Sequence, residues 1–316
     1  MKRDLKIVFL DASTVGAPDN LKLLSELGEY SQYNYTKPSE RIERIGDSQV
    51  IITNKVVIDQ EIMDACSSLK LICIAATGMN NVDLKYAAEK NIQVKNVSGY
   101  STESVAQATF SMLFYLLNSS AYYDNYVKSG KYSHSPIFTH HGREFWELKN
   151  KVFGIIGLGT IGRRVAQIAA VFGAHVVYYS TSGKNLDTGY EHKELDDLLK
   201  IADVVSIHCP LNEHTKNLVN SGRLAMMKST AYLLNMGRGG IVNESALAEA
   251  LDQERIAGAA LDVLSHEPIE KNNPLLKIKN PDRLFITPHI AWASREARIL
   301  LIDKIIGNIR RFLVEA

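Results

Sequence analysis

The chain has 316 residues, 46% hydrophobic and 22% charged, an ordinary balance for a globular protein of about two domains. Lys and Arg number 36 against 35 Asp and Glu, and the net charge of +1 gives no electrostatic reason to expect nucleic acid or an anionic membrane surface as partner. No apolar run approaches the length of a membrane span.

Residues 6–11, KIVFLD, read as a strand, since their apolar run is too short for the core of a signal peptide. Residues 19–27 read as a short helix. Residues 50–53, 71–76 and 92–97 read as three more strands, with helical patterns over 59–67 and 82–90 between them. Strand and helix in alternation predict a parallel sheet covered on both faces. Two loops that follow strands, Thr53-Asn54-Lys55 and Thr77-Gly78-Met79-Asn80-Asn81, lie where open α/β sheets gather ligands. The Thr77-Gly78 backbone offers N–H donors for a small carboxylate, although a turn of this composition is more often only a turn.

Ser101-Thr102-Glu103-Ser104 opens a helical run to residue 117. Residues 119–146 form a polar, aromatic arm that suggests a subunit contact or the edge of an active site. His134, His140 and His141 lie in it without a matching Cys or carboxylate pattern, so no metal site is expected. Cys66, Cys73 and Cys209 make no C-x-x-C pair and read as the reduced thiols of a cytoplasmic protein.

Residues 151–173 are the most informative stretch. A buried strand over 152–156 runs into Gly157-Leu158-Gly159-Thr160-Ile161-Gly162. Val165, Ile168, Ala169 and Phe172 then recur at helical spacing. Gly157 permits a tight turn, Gly159 lets a pyrophosphate approach the backbone, and Gly162 lets the helix pack on the strand. The helix N-terminus favours the anion. A second strand, 175–179, ends in Ser180-Thr181-Ser182-Gly183-Lys184, where NAD-binding units usually carry Asp or Glu for the ribose hydroxyls. No carboxylate is there to repel a 2′-phosphate, so the cofactor is NAD or NADP. Further strands are expected at 204–208, 231–235, 257–263 and 285–287, helices at 195–200 and 244–251, and a closing amphipathic helix at 295–312.

Four motifs then carry a likeness: Gly157 to Gly162, Asn235-Met236-Gly237-Arg238-Gly239-Gly240, Asp262-Val263-Leu264-Ser265-His266-Glu267-Pro268, and Pro288-His289-Ile290-Ala291-Trp292. The chain resembles the D-2-hydroxyacid dehydrogenases over nearly its whole length, most of all their glycerate dehydrogenase (hydroxypyruvate reductase) branch. The resemblance implies an α/β fold of two Rossmann-like, doubly wound parallel-sheet domains with the active site in a cleft between them. The substrate domain would comprise 1–98, the dinucleotide-binding domain 99–288, and 289–316 would return as a helix to the substrate domain. A cytoplasmic homodimer acting on a small 2-keto or 2-hydroxy acid is implied, with no nucleic acid or membrane partner.

Residue by residue, the resemblance makes His289 the proton donor, Glu267 the carboxylate that favours its imidazolium form, and Arg238 the fork of donors for the keto acid. Asn54, Lys55, Thr77 and Gly78 would face the substrate. Gly157, Gly159, Thr160, Ile161, Gly162, Ser180, Pro210, Met236, Asp262 and Thr109 would face the cofactor. His208 and His266 compete with His289 for the proton task, His208 as a strand end on the adenosine side. Hydroxypyruvate is the expected keto acid, with glyoxylate beside it. D-lactate, formate and phosphoglycerate dehydrogenases are rivals within the class, and a nicotinamide-sensing, co-repressor-like binding protein is the rival outside it.

Overall fold

A computed structural model of the chain describes residues 5–186 and 189–315. The chain divides into two units, one formed by the chain up to Ser101 together with Ala293 onward, the other by Thr102–Trp292. The turn that carries His289 therefore belongs to the second unit and not with the closing helix.

The first unit is built on β1 (Lys6–Phe9), β2 (Glu29–Gln32), β3 (Val50–Thr53), β4 (Leu71–Ile74) and β5 (Gln93–Lys95), all parallel and ordered β2-β1-β3-β4-β5. β3 and β4 read VIIT and LICI with every residue buried, as strands covered on both faces must be. β2 reads EYSQ, lies at the sheet edge and buries no residue, so it carries no apolar signal in the sequence. Helices Gln60–Ala65 and Leu84–Glu89 begin at Asp59 and Asp83, whose carboxylates accept the N–H of Ile62 (3.2 Å) and Tyr86 (3.0 Å). Each such cap stabilises by about 1 kcal/mol. Residues 19–26 form a 3₁₀ helix and not an α-helix. The long helix Arg295–Glu315 buries Leu301, Ile302, Ile305, Ile309 and Phe312, the i, i+4, i+8 stripe of an amphipathic helix. Lys304 Nζ reaches Ser98 O (2.9 Å) and Asn308 Nδ2 reaches Asn96 O (3.2 Å).

The second unit holds β6 (Val152–Ile156), β7 (His175–Tyr179), β8 (Glu191–His192), β9 (Val204–Ile207), β10 (Tyr232–Asn235), β11 (Gly258–Leu261) and β12 (Leu284–Ile286). All pair in parallel, in the order β12-β11-β10-β9-β6-β7-β8. This is the doubly wound dinucleotide-binding arrangement, with its topological switch between β6 and β9. Helix Thr160–Val171 buries Val165, Ala166 and Ala169. Helix Thr102–Leu117 buries Val105, Phe110, Leu113 and Leu117, and the Phe110 ring lies 5.8 Å from Phe153 and 5.7 Å from Phe172. Full burial of each such side chain is worth about 1.5–3 kcal/mol.

The arm over 119–146 is more ordered than its composition suggests. It forms helix Ser120–Lys128 and a 3₁₀ turn at Tyr132–His134. That helix buries no residue, so it has no apolar face for a sequence pattern to reveal. His140 stacks on Tyr126 (3.8 Å between centroids) and its Nε2 lies 2.8 Å from Tyr122 Oη. No group of three His, Cys, Asp or Glu among the described residues is placed to hold a metal ion.

Candidate active site

The glycine loop shows why each glycine is needed. Gly157 has φ +94°, and a Cβ on it would lie 2.8 Å from both the backbone N and the Cβ of Cys209. A Cβ on Gly162 would lie 2.3 Å from Gly157 O, so only glycine lets the helix start this close to β6. Gly159 is the opposite case: a Cβ there would meet no other atom within 4 Å. Gly159 and Thr160 are exposed, Ile161 is half-buried, and no side chain caps the helix that Gly159 begins. Bare backbone and uncapped first-turn N–H groups make a cradle that suits a pyrophosphate.

From this loop a series of close contacts crosses the carboxyl ends of the strands. Cys209 follows β9 and is gripped on its other side by Gly237, whose Cβ would lie 2.7 Å from Cys209 O. Asn235, 1% exposed at the end of β10, shapes the next loop: its Oδ1 accepts Gly237 N–H (3.1 Å) and its Nδ2 donates to Arg238 O (3.0 Å). Gly239 then presses on the loop after β11, where a Cβ would come 1.8 Å from Leu264 O. Leu264 N–H donates to Glu267 Oε1 (3.0 Å), and Glu267 Oε2 lies 2.7 Å from His289 Nδ1. Arg238, Glu267 and His289 thus stand on loops that touch one another in sequence. The Arg238 side chain is exposed, with Nη1 donating to Gly237 O (2.8 Å).

Asp262 holds the His289 turn. It is 3% exposed, and its Oδ1 accepts from Thr287 Oγ1 (2.7 Å), Ile290 N (2.8 Å) and Ala291 N (3.1 Å), with Oδ2 also accepting from Ala291 N (3.0 Å). His289 N–H donates to Asp262 O (2.9 Å), and His289 itself sits at φ +55°, a conformation few side chains adopt without such support. Burial raises the Asp262 carboxyl above its usual range, against the hydrogen bonds from Thr287, Ala291 and Ile290 that lower it. The sequence reading gave Asp262 only a cofactor contact; its carboxylate is the anchor of the histidine turn.

The two competing histidines, His208 and His266, are not hydrogen-bonded in this pair. His208, at the end of β9, has Nε2 2.8 Å from Ser206 Oγ, and its Nδ1 is buried without a partner. Desolvation pushes its pKa down to about 3, so near neutrality it holds no proton to give. His266 is exposed. Among the residues expected at the cofactor, Pro210 is exposed just past β9, Ser180 is 8% exposed at the end of β7, and Met236 is 7% exposed. Thr109 is fully buried and its hydroxyl donates to Val105 O (2.7 Å) within its own helix.

In the first unit the four expected substrate residues lie past the carboxyl ends of β3 and β4. Asn54 is buried and Lys55 exposed, and the backbone of both is fixed by Asp11, a residue the sequence reading missed. Asp11 is 2% exposed and accepts Asn54 N (2.9 Å) and Lys55 N (2.7 Å) at the switch between β1 and β3. Its burial raises the carboxyl above the usual range. Thr77 is exposed, with Oγ1 donating to Val97 O (3.1 Å) and its carbonyl accepting Asn96 Nδ2 (2.7 Å).

The sequence profile of the D-isomer specific 2-hydroxyacid dehydrogenase NAD binding domain matches residues 110–291. The chain belongs to the D-isomer specific 2-hydroxyacid dehydrogenase family, a family of oxidoreductases that use a nicotinamide cofactor. It is 37% identical to a hydroxypyruvate reductase of Blautia hydrogenotrophica over 98% of this chain and 97% of that protein. Its fold is similar to a D-lactate dehydrogenase of Aquifex aeolicus complexed with NAD and lactic acid, with TM-score 0.84, 27% identity, and 98% and 96% of the two chains covered. It is also similar to an acyclic imino acid reductase in complex with NADPH and D-Arg, with TM-score 0.87, 28% identity, and 98% of each chain covered. Among the described residues no helix is long and apolar enough to cross a membrane.

Proposed function

We propose that this protein reduces a small 2-keto acid to the D-2-hydroxy acid, with hydroxypyruvate as the principal substrate and glyoxylate as a second. The observation that carries this reading is the 2.7 Å contact between Glu267 and His289, on a turn anchored by a buried aspartate. A carboxylate can only accept, so the Glu267 contact places a proton on Nδ1 and leaves Nε2 to exchange one with the substrate. Nε2 of the imidazolium gives its proton to the carbonyl oxygen as the carbonyl carbon is reduced, and takes it back in the reverse direction. Arg238 binds the keto oxygen and the carboxylate through guanidinium donors that Gly237 O leaves uncommitted. In the first unit, Asn54, Lys55 and the Thr77-Gly78 backbone offer hydrogen-bonding groups suited to a small acid.

The residues fit a nicotinamide dinucleotide, with Gly157 to Gly162 taking the pyrophosphate and Ser180, Pro210 and Met236 lining its remainder. When bound, that cofactor supplies the hydride. Hydroxypyruvate, being short and polar, calls for hydrogen-bonding partners and no lipophilic pocket, in keeping with Asn54, Lys55 and Thr77. The protein would act as a homodimer through the 119–146 arm, where Ile137, Phe138 and Phe145 are 59%, 90% and 59% exposed. The test is a panel of pyruvate, hydroxypyruvate, glyoxylate and phosphohydroxypyruvate with NADH and NADPH, followed by loss of nicotinamide absorbance. Highest kcat/KM on hydroxypyruvate is expected, and absence of turnover on every acid would end the reading. Light scattering after gel filtration checks the dimer.

A further inference from the structure

The loop that carries Glu267 is held by a second carboxylate. Glu244, half-buried at the start of helix Glu244–Asp252, accepts the Ser265 N–H through Oε1 at 2.6 Å and the Asn273 side-chain amide through Oε2 at 2.7 Å. Glu267 accepts the adjoining Leu264 N–H at 3.0 Å. Two neighbouring N–H groups of one loop thus end on two carboxylates, one from within the loop and one from the helix that follows the Arg238 loop. On the same two residues Gly239 presses, since its Cβ would lie 1.8 Å from Leu264 O and 2.5 Å from Ser265 N.

The groups around Glu244 are themselves fixed. Its helix is capped by Asn243, whose side chain accepts the Ala246 N–H (2.9 Å), and buries Leu247, Ala248, Ala250 and Leu251. Asn273 is 6% exposed, and its Oδ1 accepts the Leu275 N–H at 3.0 Å. Leu247, Leu264 and Leu275 share one core. An acid in a first helical turn is favoured by the helix dipole wherever its side chain turns. The dipole therefore accounts for an acid here, but not for both of its oxygens being engaged by the β11–β12 connection.

We infer that Glu244 is a positioning residue for proton transfer. By holding Ser265 it sets where Glu267 stands, and so where the His289 imidazole stands, relative to Arg238 on the loop before the same helix. The inference rests on the reading of Arg238, Glu267 and His289 as the reacting groups. Both oxygens of Glu244 are engaged, so its action runs through the loop it holds.

The test is steady-state kinetics with the best keto acid of the panel, arranged as a double-mutant cycle. Glu244→Ala should lower kcat about 10- to 100-fold, the upper figure being that of a reacting group displaced by about 1 Å, with the keto-acid KM and dinucleotide affinity little changed. In a Glu267→Ala background the same substitution should have almost no further effect, because the carboxylate it positions is gone. Glu244→Gln keeps an acceptor for Ser265 but sets one amide against that of Asn273, and should fall between. Combining E244Q with N273D reverses the polarity of that pair while Leu275 N–H keeps its acceptor, and should restore kcat. Wild-type kcat in Glu244→Ala, or a loss that multiplies in full with that of Glu267→Ala, would overturn the inference. Where circular dichroism shows that Glu244→Ala has not folded, the combined variant decides: kcat above that of E244Q alone supports the inference, and kcat no higher overturns it. His289→Ala in the same assay separates the two readings. Normal turnover there removes the reacting groups and the inference together, whereas its loss beside an unaffected Glu244→Ala removes the inference alone.

Discussion

Glu267 grips two partners at once: Oε1 takes the Leu264 N–H at 3.0 Å and Oε2 lies 2.7 Å from His289 Nδ1. The carboxylate therefore ties the loop after β11 to the turn after β12 while orienting the imidazole. His289→Ala should lower kcat about a hundredfold or more, the scale of lost general acid catalysis, with dinucleotide binding retained in a fluorescence titration. Glu267→Gln should lower kcat less than His289→Ala does, since the imidazole keeps a hydrogen-bonding neighbour. Unchanged turnover in His289→Ala would remove the histidine from the chemistry.

Arg238 stands exposed beside this pair on a loop shaped by Asn235. Arg238→Lys keeps the charge but loses the planar fork. A higher KM for the keto acid and a lower kcat are expected together, measured by steady-state kinetics. Normal values of both would refute the assignment.

Asp262→Ala leaves the N–H groups of Ile290 and Ala291 and the Thr287 hydroxyl without their acceptor. Buried donors stripped of a charged acceptor cost about 1–3 kcal/mol each at most. A fall in Tm and a loss of kcat larger than the loss of keto-acid affinity are expected, since the histidine turn loses its anchor.

Gly239→Ala would drive a Cβ to 1.8 Å from Leu264 O, a backbone atom that cannot yield like a side-chain tip. Overpacking of this kind costs about 1–3 kcal/mol. Differential scanning calorimetry should register the fall in Tm, accompanied by reduced turnover as the Arg238 loop separates from the Glu267 loop. Gly222→Ala, where the nearest atom to a Cβ is 3.5 Å away in helix Ser221–Leu224, is the matched control and should leave both intact.

His208 should make the fold acid-sensitive. Its pKa in the folded protein is about 3 against an ordinary 6.5, so between these values the unfolded chain binds more protons. Its contribution is present above pH 6.5 and is lost as pH falls toward 3, at up to about 1.4 kcal/mol per pH unit. Urea unfolding from pH 7 to pH 4 should show a shallower decline for His208→Gln than for the wild type. Parallel curves would mean that the imidazole is not desolvated.

The glycine loop was legible because each glycine answers a local demand of the backbone: the φ of +94° at Gly157, the 2.3 Å approach at Gly162, the bare face at Gly159. The alternation of buried strands and capped helices was legible for the same reason. What escaped has a different origin. Asp11 fixes Asn54 and Lys55 across more than 40 positions of chain, and no local pattern marks such a bond. β2 and helix Ser120–Lys128 bury no residue and so lack the periodicity on which a reading depends. Thr109 enters the cofactor set only through the resemblance, on the helix that links the units, and its hydroxyl donates to Val105 O of that helix.

The first unit is stitched from two remote stretches of chain, and this bears on how the protein is made. Leu301, Ile302, Ile305 and Ile309 complete its core, yet a ribosome must deliver all of Thr102–Trp292 before they emerge. During synthesis the second unit has every strand it needs while the first still lacks its last helix. A nascent chain arrested near residue 292 should accordingly protect the second unit from protease and leave the first open to it.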